Sequence, residues 1–237
     1  MALPKLNTPT YELEVPSTDE KLKYRPFLVK EEKILLMAME SGKNEDIIQA
    51  VKDIVNACTF NKIDLGNMPM FDVEYIFLNI RAKSVGEVSK LKLLAPDDKK
   101  TQVDTEVNLA EVQVQVGDEH TNKIELTDEM GMIMTYPTID SFANSGIQDI
   151  KASNMLEVIS SCILQIYEKN GEKVYHAKDQ TQKELTEFVE QLNTKQFKQV
   201  QKFFDTMPKL KHTIKVKNPK TKKTSDVILT GLNDFFG

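Results

Sequence analysis

The side chains that could perform chemistry are few and widely separated in this chain. It contains two cysteines, Cys58 and Cys162, and three histidines, His120, His176 and His212. A zinc site usually draws its ligands from closely spaced pairs of such residues, so we predict no metal site. Each cysteine falls on an apolar helical stripe, which favours a reduced, buried thiol over the alternative of a disulfide. We predict that His120 and His212 lie at the surface.

Catalysis requires a nucleophile, a tuned acid or base, or a site for a phosphate. Asp97–Asp98 could provide paired carboxylates, but two aspartates in a polar stretch are typical of a solvated turn. Ser160–Ser161 lies within a helical apolar stripe, where a strained nucleophile turn cannot form. The nine glycines match no phosphate-binding or dinucleotide-binding motif. We expect no catalytic and no cofactor-binding residues, and hence a protein that is not an enzyme.

The composition is that of an ordinary globular protein. The chain has 237 residues, of which 40% are hydrophobic and 28% charged, which provides enough apolar material for one or two cores. No apolar run approaches the roughly 20 residues that span a bilayer, and residues 1–20 lack the pattern of a signal peptide. We expect no membrane association, and a protein that stays in the cytoplasm where it is made until a partner carries it elsewhere.

The net charge of −5 conceals two oppositely charged segments. Residues 97–129 contain ten acidic side chains and three lysines, whereas residues 209–223 contain seven lysines and no acid. These segments are either solvated faces or patches that steer the protein onto charged partners. The basic segment has no arginine and no row of aromatic residues, so we expect no binding of nucleic acid.

The order of helical and strand patterns predicts an α+β fold. Residues 1–22 contain three prolines and no apolar periodicity, so we predict a flexible N-terminal arm. The remainder is predicted as a single α+β domain, residues 23–237, in three parts: helical over 23–86, rich in strands over 87–136, and helical with a final hairpin over 137–237.

The periodicity changes along this domain. Ile47, Val51, Ile54 and Cys58 recur at helical spacing and predict a core helix, one of three in the first part. Between residues 101 and 136, apolar and polar residues alternate, which predicts a central antiparallel β meander.

The last part is predicted as helices that end in a β-hairpin. Apolar residues between Met155 and Tyr167 recur at helical spacing and predict one long helix that Gly171 ends. Thr181 and Glu184 match a capping box. Alternating residues on both sides of the turn 218–223 predict the hairpin.

Three long blocks of the sequence are similar to the T4-type baseplate hub assembly proteins of contractile-tailed bacteriophages. They are KYRPFLVKEEKILLMAMES (23–41), MFDVEYIFLNIRAKSVGE (70–87), and FFDTMPKLKHTIKV with ILTGLNDFF (203–216 and 228–236). The similarity runs with gaps from about residue 22 to the C-terminus. It implies a structural or assembly role in the hub and supplies no catalytic residues. Some relatives have a cysteine pair where this chain reads NPKTKK (218–223) and another near LLAPDD (93–98), and neither pair is present here.

The resemblance also implies partners and a location. The partners are phage tail or baseplate hub proteins, with the tape-measure protein as a further candidate. The expected protein is a late protein of the infected host's cytoplasm, which either stays in the virion's tail baseplate or is released after assembly. The alternative function is a general protein-binding adaptor or chaperone-like module unrelated to phage tails.

Eight residues are candidates for contact with a partner. Arg25 and Arg81, the only two arginines, either bind a partner or form a structural pair with Glu31, Glu32 or Glu74. The two terminal phenylalanines either fold back onto the core or dock on a neighbour. The lysines at the hairpin turn are predicted to meet an acidic partner in the tail hub. The phenylalanines are Phe235 and Phe236. The lysines are Lys217, Lys220, Lys222 and Lys223.

Overall fold

A computed structural model describes residues 6–141, 155–169, 171 and 173–236, in which the chain forms seven helices and eleven strands. The helices are α1 (Val29–Ser41), α2 (Asn44–Cys58), α3 (Met70–Val85), α4 (Met155–Ser161), α5 (Gln182–Glu190), α6 (Thr194–Thr206) and α7 (Asn233–Phe236). The strands are β1 (Tyr11–Glu14), β2 (Lys21–Tyr24), β3 (Val88–Leu94), β4 (Gln102–Asn108), β5 (Gln113–Gln115), β6 (Lys123–Glu125), β7 (Met130–Met134), β8 (Ile163–Glu168), β9 (Val174–His176), β10 (Lys209–Lys217) and β11 (Thr224–Thr230). The predicted α+β class is confirmed.

The chain divides into two compact units, whereas the sequence predicted a single domain over 23–237. The first unit contains residues 1–65, 71–115 and 209–237, and the second contains residues 66–70 and 116–208. The chain returns to the first unit at its C-terminal end because β10 pairs with both β5 and β11. Each crossing lies beside a single glycine or proline, among them Gly66, Gly117 and Pro208. Isolated residues of this kind also mark ordinary turns, so composition did not identify the division.

Helices α2 and α3 supply much of the apolar interior of the first unit. Ile54, Val55 and Cys58 of α2 are fully buried, as their helical spacing predicts. Helix α3 buries residues on several faces, among them Ile76 and Leu78, which is typical of a central helix.

Two glycines end helices of this unit. Gly42 follows α1 with a φ of 66°, and Gly86 follows α3 with a φ of 131°. A side chain at either position would be strained, because such φ values are rarely open to other residues.

A second part of the first unit packs α3 against two sheets. One sheet has the order β11–β10–β5 and the other pairs β3 with β4. Their shared core contains buried side chains from α3, from the strands and from the C-terminal segment. These are Leu78, Ala82, Leu91, Val107, Leu109, Val112, Leu210, Ile214, Val216, Leu229 and Phe235.

Residues 11–24 form a β-hairpin, although the sequence predicted a flexible arm over 1–22. Leu13, Val15 and Leu22 are at most 8% exposed. The hairpin is also anchored on α3, because the backbone N–H of Ser17 donates to the buried carboxylate of Asp72 at 3.1 Å. The prediction missed this element because its apolar residues are few and alternate over only four residues in each strand.

The second unit consists of a four-stranded antiparallel sheet with helices against it. The strand order is β6–β7–β8–β9. The predicted capping box at Thr181 and Glu184 is present, and Asn193 with Gln196 forms another at the start of α6. The core of this unit contains Ile124, Leu126, Met132, Met134, Ile159, Cys162, Ile163, Ile166, Leu185, Val189, Val200 and Phe203.

The long helix predicted between Met155 and Tyr167 is wrong in its second half. Helix α4 ends at Ser161, and Ile163–Glu168 is strand β8, paired with β7 and β9. Residues ILQIYE are rich in β-branched and aromatic side chains, which favour strands. The spacing of Ile163 and Ile166 is typical of a helix, but the segment forms a strand because it pairs with β7 and β9.

The strands between residues 101 and 136 do not form one continuous meander. Strand β4 pairs with β3, β5 pairs with β10, and β6 and β7 belong to the sheet of the second unit. All these pairings are antiparallel, as predicted. Alternation along the sequence identifies a strand. Which strand it pairs with depends on which apolar faces are buried in the folded sheet.

Candidate partner-binding site

The four candidate lysines lie at the tip of the β10–β11 hairpin. Ile214, Val216 and Leu229 are buried and hold the strands on the core of the first unit, whereas Lys217, Lys220, Lys222 and Lys223 are all exposed. Apolar side chains on the opposite strand face thus fix the position of the basic tip.

The turn that carries these lysines is closed by Asn218. Its side-chain carbonyl oxygen accepts from the backbone N–H groups of Lys220 at 2.8 Å and Thr221 at 3.3 Å. Its backbone N–H donates to the carbonyl of Lys223 at 2.8 Å. Asn218 is only 1% exposed, so the base of a highly charged turn is buried and hydrogen-bonded.

A second turn, between β3 and β4, is built in a similar way. The backbone N–H of Ala95 donates to the carbonyl of Thr101 at 2.8 Å. One carboxylate oxygen of Asp98 accepts from the backbone N–H groups of Lys100 and Thr101, and the other accepts from the Thr101 hydroxyl at 2.6 Å. These bonds hold the pKa of Asp98 well below its usual range, with the Thr101 hydroxyl as the largest contributor.

Hydrogen bonds join the two turns. The side-chain amide of Asn218 donates to Asp97 at 2.9 Å and to Asp98 at 3.1 Å. The hydroxyl of Thr221 donates to the other carboxylate oxygen of Asp97, and this bond is the largest cause of that aspartate's lowered pKa. The sequence predicted a solvated turn at Asp97–Asp98, but both carboxylates serve as acceptors that connect two turns 120 residues apart in the chain.

The connection adds two lysines to the basic tip that the sequence analysis missed. Lys99 and Lys100 follow Asp98 directly and are exposed. Because they lie in the predominantly acidic segment 97–129, the charge pattern gave no sign of their association with residues 217–223. The only available signal was the resemblance, which places cysteine pairs of some relatives at these same two turns.

Arg25 forms the structural ion pair that was one of its two predicted alternatives. Its guanidinium lies 3.1 Å from the carboxylate of Glu31 and donates to the carbonyl of Pro26 at 2.9 Å. Burial alone would raise the pKa of Glu31, but hydrogen bonds from Arg25 and from the backbone N–H of Leu28 hold it below its usual value. Arg25 therefore fixes the approach of β2 to α1.

Of the remaining candidates, Arg81 and Phe235 lie in or near the interior. Arg81 on α3 is partly buried, and this burial lowers its pKa. Phe235 is fully buried in the core of the first unit, and its carbonyl accepts from the Ser89 hydroxyl at 2.7 Å. This is the fold-back alternative. The side chain of Phe236 lies outside the described part of the structure.

His120 is half-buried, although the sequence predicted a surface histidine. Its two ring nitrogens lie 2.9 Å from the Thr206 hydroxyl and 3.0 Å from the Tyr136 hydroxyl. The ring stacks on Tyr136 and lies against Phe203, and burial lowers its pKa. These contacts give the imidazole a structural role in the second unit.

Metal-ligating side chains do not gather in the described part of the chain. No group of three or more His, Cys, Asp or Glu side chains there could hold a metal ion. Cys58 and Cys162 are buried free thiols, and burial raises their pKa values to about 11 and about 12. Among the described residues, no helix is both long and apolar enough to cross a membrane.

Comparison with known protein families gave a match over nearly the whole chain. Residues 8–237 match the model of a family described as T4 bacteriophage base plate protein. The matched range includes both units and both of the joined turns. Searches of curated proteins and of solved structures found no match.

Proposed function

Because the chain belongs to the T4 bacteriophage base plate protein family, we propose that it is a non-enzymatic structural or assembly factor of the baseplate hub. The family match over residues 8–237 carries this proposal. A baseplate protein acts in contact with other tail or baseplate proteins. We propose hub proteins as its partners, with the tape-measure protein as a further candidate, and no binding of nucleic acid.

The side chains that could take part in catalysis are engaged in hydrogen bonds within the fold, which supports a non-enzymatic role. The hydroxyl of Ser160 is bonded to the carbonyl of Glu157 and to the side chains of Thr186 and Gln182. His120 is held between two hydroxyl groups. In each case the group that could attack or transfer a proton is engaged in holding the fold.

The basic tip, which we define as Lys99, Lys100, Lys217, Lys220, Lys222 and Lys223, is the surface that we propose for contact with an acidic partner. Two fixed turns present six exposed ammonium groups on a short stretch of surface. Exposed charges of this kind raise the rate of encounter and make binding sensitive to salt, with little effect on stability.

Capture of hub proteins from infected cells tests this function. A tagged wild-type chain should retain baseplate hub proteins, identified by mass spectrometry. The variant in which Lys217, Lys220, Lys222 and Lys223 are changed to Ser should retain less, most clearly at low salt. Its melting temperature should stay within about one or two degrees of the wild type, because surface substitutions cost little stability.

A matched control removes four exposed lysines from the second unit. Changing Lys173, Lys178, Lys195 and Lys198 to Ser alters the net charge equally and should leave capture unchanged. Failure of the wild type to retain any baseplate protein contradicts the proposed function. Equal losses in both variants contradict the proposed role of the basic tip and leave the function standing.

The location of the protein after assembly is a separate question. We propose that it is made in the host cytoplasm and acts at the tail baseplate. Mass spectrometry of purified virions decides between a permanent component and a factor that is released. A fixed copy number relative to hub proteins indicates the first, and its absence from virions that contain the hub indicates the second.

A further inference from the structure

Helix α1 differs from the other long helices in how little of its apolar surface is covered. Its sequence VKEEKILLMAMES places apolar residues on several sides of the helix, between five charged ones. Only Glu31 and Ala38 are buried, while the side chains of Val29, Ile34, Leu36, Met37 and Met39 are 43–81% exposed. Several exposed apolar side chains on adjacent turns of one helix are typical of an interaction site.

The exposed face of α1 has a regular pattern. Val29, Lys33, Leu36, Met37 and Glu40 follow one another at i, i+4, i+7, i+8 and i+11, and therefore lie along one side of the helix. The buried Glu31 and Ala38 lie on the opposite side. Leu36 and Met37, which are 54% and 59% exposed, form the apolar centre of this outer face.

The charges of the outer face are arranged symmetrically about that centre. Lys33 lies three residues before Leu36, and Glu40 lies three residues after Met37. Both are exposed, and neither has an ion-pair partner within the described part of the chain. When the helix is reversed end for end, the lysine therefore takes the place of the glutamate.

We propose that the outer face of α1 is a docking surface for a second copy of this chain, with the two α1 helices antiparallel. A twofold axis then passes between Leu36 and Met37, so that Leu36 of each copy packs on Met37 of the other. Lys33 of each copy faces Glu40 of the other on both sides of the apolar centre. A twofold interface requires this kind of self-complementary surface, and the charge pattern selects a second copy over an unrelated partner. The inference does not depend on the basic tip or on the baseplate role.

The mass of the purified full chain in sedimentation equilibrium, over a series of concentrations, tests the proposal. The wild type should form dimers. Lys33→Glu and Glu40→Lys should each weaken dimerisation by about tenfold or more, because each variant replaces two attractive pairs with two repulsive ones. Neither substitution should change the melting behaviour of the monomer, because both side chains are exposed.

Combining the two charge-reversed variants distinguishes a specific antiparallel interface from a general loss of structure. An equimolar mixture of the Lys33→Glu and Glu40→Lys chains should form mixed dimers near wild-type affinity. In such a dimer one chain carries two acidic side chains at these positions and the other carries two basic ones, so both cross-pairs are attractive. The double variant should also dimerise, because its pairs are opposite in sign again. Failure of both to restore the dimer overturns the antiparallel arrangement.

A control for apolar exposure completes the test. Leu36→Glu places a charge at the apolar centre and should abolish dimers, whereas Ile228→Glu on β11, where the side chain is 53% exposed, should leave them intact. A wild-type chain that is monomeric at every concentration overturns the proposal, and so does a dimer that Leu36→Glu leaves unchanged.

Discussion

Asn218 joins two turns whose association neither the charge pattern nor the periodicity of the sequence indicates. Its side chain donates to Asp97 and Asp98 and accepts from the backbone of its own turn. The sequence allowed the lysines of the hairpin tip to be predicted from local alternation and charge. It did not allow Lys99 and Lys100 to be added, because hydrogen bonds between residues 120 positions apart leave no periodic signal.

Replacing Asn218 should loosen the basic tip. Asn218→Ala removes a buried amide with four hydrogen-bond contacts, and we expect a loss of roughly 1–3 kcal/mol in the free energy of unfolding, measured by chemical denaturation. Asn218→Asp keeps the acceptor oxygen and removes the donor beside two carboxylates. It should therefore also destabilise the protein at pH 7, and less so when the pH is lowered far enough to protonate the aspartates. Equal stability of all three proteins at pH 7 would show that the junction is not formed.

Glu74 on α3 makes stability depend on pH. Its carboxylate accepts from the backbone N–H of Leu232 at 3.3 Å, and burial raises its pKa from 4.5 to about 7. Between these values the folded state retains a proton that the unfolded state has lost, so this group's contribution to stability falls as pH rises from about 4.5 to about 7.

Removing this charge should stabilise the protein above neutral pH. Glu74→Gln keeps an acceptor for Leu232 and should raise the free energy of unfolding by on the order of 1–3 kcal/mol at pH 8, with little change at pH 4. The control Glu20→Gln removes an exposed carboxylate and should have little effect at either pH. A loss of stability at pH 8 in Glu74→Gln would contradict a buried carboxyl with a raised pKa.

At the scale of elements, periodicity predicted the helices better than the strands. Helix α2 was predicted from its stripe, and Ile54, Val55 and Cys58 are fully buried. Strand β8 was missed because its pairing with β7 has a register shift between Ile133 and Met134, and both Ile163 and Ile166 are buried. Burial of residues three apart is the spacing of a helix rather than of a regular strand. The N-terminal hairpin was missed because four-residue strands give too short a pattern, and its stability depends on side chains elsewhere, such as Asp72.

A substitution in the N-terminal hairpin tests whether this element belongs to the core. Leu13 is 8% exposed and Leu6 is 94% exposed. Leu13→Ala should lower the free energy of unfolding by roughly 2–4 kcal/mol, the usual cost of truncating a buried leucine. Leu6→Ala should change it by less than about 0.5 kcal/mol. Equal and small effects in thermal or chemical denaturation would mean that residues 11–24 behave as the free arm that the sequence predicted.

At the scale of the whole molecule, the two units differ in the surfaces that they contain. The first unit includes both the basic tip and the outer face of α1, whereas the described part of the second unit holds the His120 ring and the Ser160 hydroxyl in internal hydrogen bonds. The division into units could not be predicted from composition, since residues 209–237 return to the first unit through sheet pairing with β5. The family membership was predicted, because long mixed blocks of sequence carry it.

The most direct test of the proposed role is an electron-microscopy count of tails in phage lysates that lack this protein. A stop codon early in its gene, in a host that cannot read through it, removes the chain, and a plasmid copy of the wild type provides the control. We predict that complete baseplates disappear without the protein and return with the plasmid, because a baseplate cannot be completed without the hub that this protein is proposed to help build. Normal numbers of complete, baseplate-bearing tails in the absence of the protein would contradict a hub structural or assembly function.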